Sequence, residues 1–240
     1  MKKKIVIFTG AGLDAESGVA TFRSNGGLWN NHRIEDVATP AGWKKDRKKV
    51  LDFYNDRRRQ MPEVFPNDAH KAIAKLEEQF DVTNITQNVS DLLERGGSKN
   101  IIHLHGELTK ARGCLYDSKS SPLDEIIDIG YNDINIGDKG PISGSQLRPH
   151  IVWFEEVPLG VTEAYEAVYN ADILLVIGTS LQITYTLDML CNVRKINEPC
   201  KVIYIDPKPM RYLDKYGLKV EYVEKNAVEG VTAVVNELLK

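Results

Sequence analysis

The stretch KIVIFTGAGLDAESGVATFR, residues 4–23, decides the fold. Its first part, Ile5–Phe8, is a short run of β-branched and aromatic residues that predicts a buried strand. Gly10 and Gly12 follow at once, and glycines at that place let the backbone approach a phosphate closely as a helix begins. A nucleotide site is one interpretation. An ordinary tight strand-to-helix turn is the other, since Ala15 replaces the third glycine of a dinucleotide motif.

Composition excludes several classes of protein. The chain has 240 residues, enough for one sizeable domain or a domain with a small lobe. A net charge of -3, from 31 basic and 34 acidic residues, gives no reason to expect nucleic acid or a membrane surface as a partner. There is no run of about 20 apolar residues, and the start MKKKIVIFTG is too short in its apolar part for a signal peptide.

The cysteines indicate a reduced compartment. Cys114, Cys191 and Cys200 form no Cys-x-x-Cys pair, which argues against a disulfide framework and against a four-thiolate zinc site. We therefore expect a soluble, cytoplasmic protein.

Short apolar runs rich in β-branched residues recur along the chain and predict strands. They are Ile5–Phe8, Val82–Thr86, Ile101–Leu104, Ile173–Ile177 and Val202–Ile205. Helical patterns at 68–79, 161–170 and 226–239 lie between several of them. This alternation predicts an α/β fold with a mostly parallel, doubly wound sheet.

Two stretches interrupt this alternation. Residues 30–66 are charged and amphipathic, which predicts a small helical insertion, and residues 107–147 are rich in Gly, Ser, Asp and Lys, which predicts a lobe of loops with at most short strands. We expect one domain, 1–240, with its large part at about 1–29, 67–106 and 148–240. The small lobe would consist of about 30–66 and 107–147.

Small or polar residues follow three of the predicted strands, the first of which ends at Gly10 and Gly12. Gln87 and Asn88 come after the second strand, and Gly178-Thr179-Ser180 comes after the Ile173–Ile177 strand. Because ligands of open α/β sheets bind at the carboxyl ends of the strands, these segments together favour a nucleotide crevice. His103 and His105 end another strand, and a histidine at this edge could be a general base. His105, next to Gly106, is the better candidate, while His103 fits a structural hydrogen bond.

These motifs, in this order, resemble those of the sirtuins, which are NAD-dependent protein-lysine deacylases. The matching segments are 10–12, 16–18, 22–23, 86–88, 103–106, 148–154 and 178–182. The resemblance implies a Rossmann-like large part, a smaller lobe made from two insertions, and a cleft between them for NAD and an acyl-lysine protein or peptide.

The resemblance also implies a mechanism. The acyl-lysine carbonyl oxygen attacks the nicotinamide ribose carbon, nicotinamide leaves, and a base activates a ribose hydroxyl to give O-acyl-ADP-ribose. The implied catalytic residues are His105 as the base and Asn88, which helps place ribose and water. The implied cofactor contacts are Gly10, Ala11, Gly12, Ala15, Glu16, Phe22, Arg23, Trp29, Gln87, Asn88, Ser90, Gly178, Thr179, Ser180, Asp206 and Ala227.

Substrate contacts follow from the same resemblance. Tyr54 and Arg57 are similar to the Tyr-x-x-Arg pair of the desuccinylase and demalonylase (class III) sirtuins, and Thr21 also resembles that subgroup. A guanidinium fork and a phenol donor suit an acidic acyl tail. The alternative is a helix whose Arg57–Arg59 face water. Val152 and Phe154 belong to the segment that would pair with the substrate peptide.

Two departures from the sirtuin pattern concern the nucleotide. Asp14 stands where the family usually has Ser, close to the expected pyrophosphate, and a negative charge there costs roughly 1 to 4 kcal/mol at about 4 Å. Unless Asp14 turns outward or binds a cation, we expect lower affinity for NAD. Ser90 stands where the family usually has the Asp that holds the nicotinamide carboxamide, so we expect looser positioning of nicotinamide.

Two further departures concern the substrate segment and the small lobe. Glu155 takes the place of a glycine in the segment Phe154–Pro158, so pairing with the peptide could be altered. The family's zinc thiolates are missing, because Cys114 has no partner cysteine nearby, and one thiolate cannot form a closed tetrahedral site. We predict no metal. The alternatives to a deacylase are a weakened module that binds NAD or ADP-ribose, and an NAD glycohydrolase or ADP-ribosyltransferase.

Overall fold

The computed structural model describes residues 2–20, 28–29, 32–114, 125–193 and 199–240, with only the backbone of residues 28 and 29. The strands are β1 (Lys4–Thr9), β2 (Leu28–Trp29), β3 (His32–Arg33), β4 (Asp81–Thr86), β5 (Ile101–His103), β6 (Gly106–Gly113), β7 (Ile126–Asp128), β8 (Leu147–Ile151), β9 (Ile173–Ile177), β10 (Lys201–Ile205) and β11 (Val220–Val223). The α-helices are α1 (Gly12–Ala15), α2 (Ile34–Val37), α3 (Pro40–Lys45), α4 (Arg47–Gln60), α5 (Asp68–Lys75), α6 (Leu92–Arg95), α7 (Val161–Tyr169), α8 (Thr184–Cys191) and α9 (Ala227–Leu238). Short 3-10 helices lie at Met61–Glu63, Leu76–Glu78 and Leu213–Tyr216.

A parallel sheet of six strands forms the centre of the large part, in the order β11-β10-β9-β1-β4-β5. Strand β1 lies in the middle, where Val6 is opposite Thr83 of β4 and Leu174 of β9. Parallel strands require crossover connections, and the helices supply them. The predicted α/β fold with a parallel sheet is confirmed.

Both faces of this sheet are covered, which explains why its strands are apolar throughout. Successive side chains point to opposite faces. Ile5 and Ile7 accordingly belong to a core packed with residues of α5 and α9, while Val6 and Phe8 belong to a second core with residues of α7 and α8. Strand β1 is therefore fixed between two layers, and the loop that follows it has a defined position.

A second, antiparallel sheet has the order β7-β6-β8. Strand β6 is longer than the short strands predicted for this region, because Leu108 and Ala111 are buried in a third core with residues of α4. Its partner β8 pairs Arg148 with Arg112, so residues 148–151 lie on this small sheet, whereas the sequence placed them in the large part. The division into a large part and a small lobe is still a proposal.

Helices α3 and α4 of the first insertion begin at side-chain caps. Thr39 accepts a hydrogen bond from Gly42 N and is followed by Pro40, which suits the first position of α3. Asp46 accepts from Lys49 N at the start of α4. None of the described helices is both long enough and apolar enough to cross a membrane.

Candidate active site

The carboxyl ends of β1, β4 and β9 meet at one edge of the sheet, and hydrogen bonds connect them. Asn88, after β4, donates from Nδ2 to Gly10 O over 3.0 Å, and Thr179, after β9, donates from Oγ1 to Gln87 Oε1 over 2.9 Å. Four residues predicted to bind NAD, namely Gly10, Gln87, Asn88 and Thr179, are therefore brought together. The sequence had suggested this convergence from the strand ends alone.

The glycines at this edge serve a close contact between two backbone segments. Gly12 N donates to Gly178 O over 2.8 Å, and a Cβ added to Gly12 would lie 2.5 Å from Gly178 Cα. Gly178 itself has φ of 58°, which favours glycine. A tight turn thus accounts for Gly12 without a phosphate. Ala15 ends α1 after only four residues.

Residues near β10 and α9 make up the far end of the predicted cofactor site. Asp206 is half-buried, directly after β10, and its Oδ1 accepts from Lys208 N over 2.7 Å. Glu16 Oε2 accepts from Val228 N over 2.8 Å, so this carboxylate caps the first turn of α9, where Ala227 is buried. Glu16 therefore has a structural contact at the place where cofactor binding was predicted.

His105 has a hydrogen bond at each ring nitrogen. Nδ1 lies 2.9 Å from Gln87 O, and Nε2 lies 2.7 Å from the hydroxyl of Tyr185. Burial lowers the pKa of His105, and the bond to Gln87 O raises it by less. The imidazole is therefore neutral at pH 7 and can accept a proton.

His103 has different surroundings, although it is only two residues away. Its Nε2 lies 2.6 Å from Glu94 Oε1. Burial lowers the pKa of His103, but the hydrogen bond and the charge of Glu94 outweigh burial, so the pKa is raised overall. This ion-paired side chain matches the structural role that the sequence favoured for His103. Glu107 lies close to the same pair.

Asp14 is buried inside the protein and is bonded to two donors. Ser90 Oγ donates to its Oδ2 over 2.7 Å, and His70 Nε2 lies 3.2 Å from its Oδ1. Asn67 N donates to His70 Nδ1, so the proton of this ring is on Nε2 and is donated to Asp14. Asp14, Ser90 and His70 are exposed by only 4%, 7% and 0%. Asp14 is thus neither turned outward nor left with an unsatisfied carboxylate.

Tyr54 and Arg57 lie one turn apart on α4. Tyr54 is fully buried and its hydroxyl accepts from Trp153 Nε1 over 3.2 Å. The guanidinium of Arg57 stacks 3.4 Å above the Phe53 ring and donates to Phe53 O. Burial lowers the pKa of Arg57 to about 10, so the side chain is still charged at pH 7.

The neighbouring arginines do not behave alike. Arg58 is fully buried and donates to Leu108 O and Asn55 Oδ1, whereas Arg59 is exposed and paired with Asp133. The alternative in which Arg57–Arg59 all face water is therefore wrong for Arg58 and does not describe Arg57.

The segment after β8 is held by Glu156. Arg148 donates to both carboxylate oxygens, over 2.6 and 2.9 Å, and Arg112 donates to Oε2 over 3.1 Å. The Trp153 N–H donates to the same oxygen over 2.9 Å. This clamp leaves Phe154 exposed by 46% and Glu155 at φ of 74°. The left-handed φ explains why a glycine would suit position 155.

Strand β6 begins the segment 107–147, which was predicted to form part of a small lobe without a metal. The backbone N–H of Val152, in the segment predicted to pair with the substrate peptide, donates to His105 O over 2.9 Å. This hydrogen bond connects that segment to the residue predicted to be the base. Cys114 Sγ is 3.1 Å from Trp43 Nε1 and is buried. Glu125 accepts from Ser143 N, Ser143 Oγ and Ile142 N, which ties the start of β7 to the loop before β8.

Some predicted residues lie outside the described part of the chain. These are Thr21, Phe22 and Arg23, together with the side chain of Trp29. Their roles are still predictions. Ala11 and Ser180 are half-buried at the turns after β1 and β9.

Three side chains beside the site were not predicted from the sequence. His70 could have been found from Asn67-x-x-His70, in which the Asn cap and the fourth residue exchange hydrogen bonds with the backbone. Tyr185 had no such signal, because its contact spans 80 positions in the chain. Glu156 lay next to Glu155, and nothing in the spacing told the two carboxylates apart.

Comparisons with known proteins agree with this geometry. The family model described as "Sir2 family" matches residues 10–185. The chain is 45% identical to an NAD-dependent protein deacylase of Helicobacter pylori (strain J99 / ATCC 700824), over 99% of this chain and 96% of the relative. It is 44% identical to a protein of the same name from Bacteroides thetaiotaomicron, with 95% of each chain covered. The chain belongs to the Sir2 family.

Solved structures give the same result. A Sir2 homologue mutant in complex with 2′-O-acetyl ADP ribose superposes with a TM-score of 0.83 at 33% identity, covering 99% of this chain and 92% of the other. A Sir2 homologue in complex with NAD has a TM-score of 0.80 at 33% identity, covering 99% and 90%. The predicted family, the α/β fold and NAD as the cofactor are confirmed.

Proposed function

We propose that this Sir2 protein is an NAD-dependent protein-lysine deacylase that prefers acidic acyl groups and acts on acylated proteins. The names of relatives that are 44% to 49% identical support the deacylase activity. The observation that carries the mechanism is the neutral, half-buried His105 at the carboxyl end of the sheet, fixed at Nδ1 by Gln87 O.

The residues at the sheet edge fit NAD. Carboxyl ends of parallel strands are the usual nucleotide site, and here they carry the small and polar residues Thr179, Gln87 and Asn88. Asp206 is placed to accept from ribose hydroxyls through its carboxylate. When bound, NAD would supply the ribose carbon that the acyl oxygen attacks and the ribose hydroxyl that finally carries the acyl group.

Each implied side chain then has one task. His105 takes the proton of a ribose hydroxyl at Nε2, while Gln87 O keeps the other ring proton on Nδ1. Asn88 is oriented by its bond to Gly10 O and would help to place ribose and water. Val152 and Phe154 lie where the substrate peptide would pair with the backbone.

The preference for acidic acyl groups rests on Tyr54 and Arg57. Arg57 is charged and partly desolvated, so a carboxylate at the end of the acyl chain would gain a strong charge-assisted hydrogen bond there. Tyr54 is fixed beside Trp153 and could donate its hydroxyl to the same carboxylate. An acetyl group offers nothing to either side chain.

Nicotinamide release tests the activity. The protein is incubated with NAD and with succinyl-, malonyl- or acetyl-lysine peptides, and nicotinamide is measured with and without peptide. We expect release that depends on peptide, and its loss in His105→Ala. Release without peptide would support a glycohydrolase or ADP-ribosyltransferase instead, and binding of NAD without release would support a weakened binding module.

Acyl preference needs a matched pair of variants. Arg57→Met should lower kcat/KM for succinyl and malonyl peptides at least 10-fold and leave acetyl peptides almost unchanged. Arg59→Met is the control, because Arg59 is on the same helix but is exposed and paired with Asp133. An equal loss for all three acyl groups in Arg57→Met would contradict the preference.

A cytoplasmic location is part of the proposal. It is supported by the low cysteine content, three residues with no Cys-x-x-Cys pair among them. Fractionation of cells that express the tagged full chain would test it.

A further inference from the structure

Tyr185 contacts the base through its hydroxyl. It lies in the first turn of α8, right after the Gly178–Ser180 segment, and its Oη is 2.7 Å from Nε2 of His105. The two rings meet edge to face, with centroids 6.4 Å apart and an angle of 78° between planes. None of the roles assigned above uses this side chain.

The direction of the hydrogen bond follows from the other partners. A carbonyl oxygen can only accept, so the contact between His105 Nδ1 and Gln87 O places the ring proton on Nδ1. Nε2 of the neutral ring is then an acceptor. Burial raises the pKa of Tyr185, which keeps the phenol protonated, and the hydroxyl donates to Nε2.

Nε2 has a single lone pair in the plane of the ring. The same lone pair must receive the ribose hydroxyl if His105 is to act as the base. Tyr185 and the ribose hydroxyl cannot both donate to it. One of them must give way when the nucleotide binds.

We propose that Tyr185 is a positioning residue for His105: its hydroxyl holds the Nδ1–H form of the ring in the free enzyme and yields Nε2 to the bound ribose. This inference rests on the proposed function. The proton of the ribose hydroxyl then moves to Nε2, and the Tyr185 hydroxyl leaves as an intact O–H donor. No other reactant is needed.

The titratable side chains of His103, Asp188 and Glu107, on elements next to His105, bond to other residues. His103 bonds to Glu94. Asp188 on α8 is exposed and accepts from a tyrosine hydroxyl. Glu107 on β6 is paired with Lys110. Burial and Gln87 O act on the pKa of His105, so the loss of the Tyr185 hydroxyl should be visible against this background.

A test on the free protein does not require activity. Proton–nitrogen NMR of labelled histidine should show His105 protonated at Nδ1 in the neutral protein. In Tyr185→Phe the pKa of His105 should rise by about 0.5 to 1 unit, because a donor to the neutral form is lost. Tyr165→Phe is the control, since it removes a hydroxyl that bonds to α8 but not to His105. An unchanged pKa in Tyr185→Phe, or a proton on Nε2, would overturn the proposal.

Displacement of the Tyr185 hydroxyl from His105 by the bound ribose can be measured separately. Calorimetry with ADP-ribose should show binding to Tyr185→Phe about 2- to 10-fold tighter than to the wild type, as expected when one competing hydrogen bond is removed. In turnover, KM for NAD should fall by a similar factor, and the acid limb of the kcat/KM profile should move to higher pH.

Two outcomes would contradict the proposed role of Tyr185. Equal ADP-ribose affinity in both proteins would show that Tyr185 does not compete, and a 100-fold loss of kcat would show that it takes part in the chemistry instead. If wild-type protein shows no turnover at all, the proposed function fails, while the NMR and ADP-ribose results still decide the role of Tyr185.

Discussion

Ser90 Oγ donates to Asp14 Oδ2 over 2.7 Å, which ties the segment after β1 to the segment after β4. The sirtuin pattern has a hydroxyl at the first position and a carboxylate at the second, so the two groups are exchanged along the sequence. In space they still form one carboxylate–hydroxyl pair. His70 adds a second donor to the carboxylate. Asp14 was expected to repel the pyrophosphate of NAD. Its carboxylate is instead bonded to Ser90 and His70 inside the protein.

Exchange variants should show that the pair acts as a unit. Ser90→Asp would place two carboxylates side by side and should lower the free energy of unfolding by roughly 1 to 4 kcal/mol. Asp14→Ser leaves buried donors without a carboxylate and should cost about 1 to 3 kcal/mol. The double variant restores one carboxylate and one hydroxyl, so it should be more stable than the sum of the single changes predicts. Urea unfolding measures all three, and simple additivity would refute the coupling.

Substitutions at the adjacent residues Glu155 and Glu156 should have opposite effects on the free energy of unfolding. Glu156→Gln leaves the buried guanidinium of Arg148 without its counter-charge and should destabilise the protein by about 3 kcal/mol. Glu155→Gly relieves a left-handed backbone and should stabilise it by about 0.5 to 1 kcal/mol. Thermal or urea unfolding of the two variants is sufficient. A stabilising Glu156→Gln would contradict the clamp.

Acid should destabilise the protein through His150. Burial, with help from Arg112, Lys110 and Arg148, lowers the pKa of His150 to about 4. Between this value and the unfolded pKa of about 6.5, the unfolded chain binds more protons than the folded protein. The contribution of His150 to stability is therefore fully present above that range and is lost as the pH falls through it. We expect His150 to cost about 2 kcal/mol between pH 7 and pH 5. Urea unfolding of His150→Asn should show a smaller loss over the same range, and an equal loss would exclude His150 as its source.

We expect the stability of the small sheet to depend on Glu125 and not on a bound metal. Burial raises the pKa of its carboxyl, but hydrogen bonds from Ser143 and Ile142 outweigh burial and lower it overall. Glu125→Ala should cost about 2 to 3 kcal/mol, because several donors lose their acceptor together. Addition of a strong chelator to the wild type should leave the midpoint of unfolding unchanged. A fall in the midpoint on chelation would contradict the prediction that the lobe has no metal.

The positions of the main strands and the convergence of their carboxyl ends could be predicted from the sequence, because the strands are marked by local apolar runs and polar residues follow them. Ile5–Phe8 and Ile173–Ile177 are continuous apolar runs, as expected for strands covered on both faces, and both lie where they were predicted. Strand β11 and helix α8 were missed. Val220–Val223 is broken by Glu221, and Thr184–Cys191 begins without a side-chain cap.

The contacts of the site were harder to predict, since they join residues far apart in the chain. Asp14 meets Ser90 across 76 positions, and His105 meets Tyr185 across 80. A single sequence shows that Asp14 is unusual but contains no sign of where its carboxylate points. The charge was therefore placed toward the phosphates, when the buried donors of Ser90 and His70 were its actual partners.

The edge of the sheet is built from residues between Gly10 and Ala227, and Glu16 is bonded to Val228 at the start of the last helix. A chain still being made on the ribosome thus has the glycine turn and the imidazole long before it has Asp206 and α9. Contacts of such long sequence separation form late in folding. A molecule in which translation has not yet reached α9 should accordingly leave the dinucleotide pool of the cell untouched, and the enzyme becomes competent only after this helix has been made.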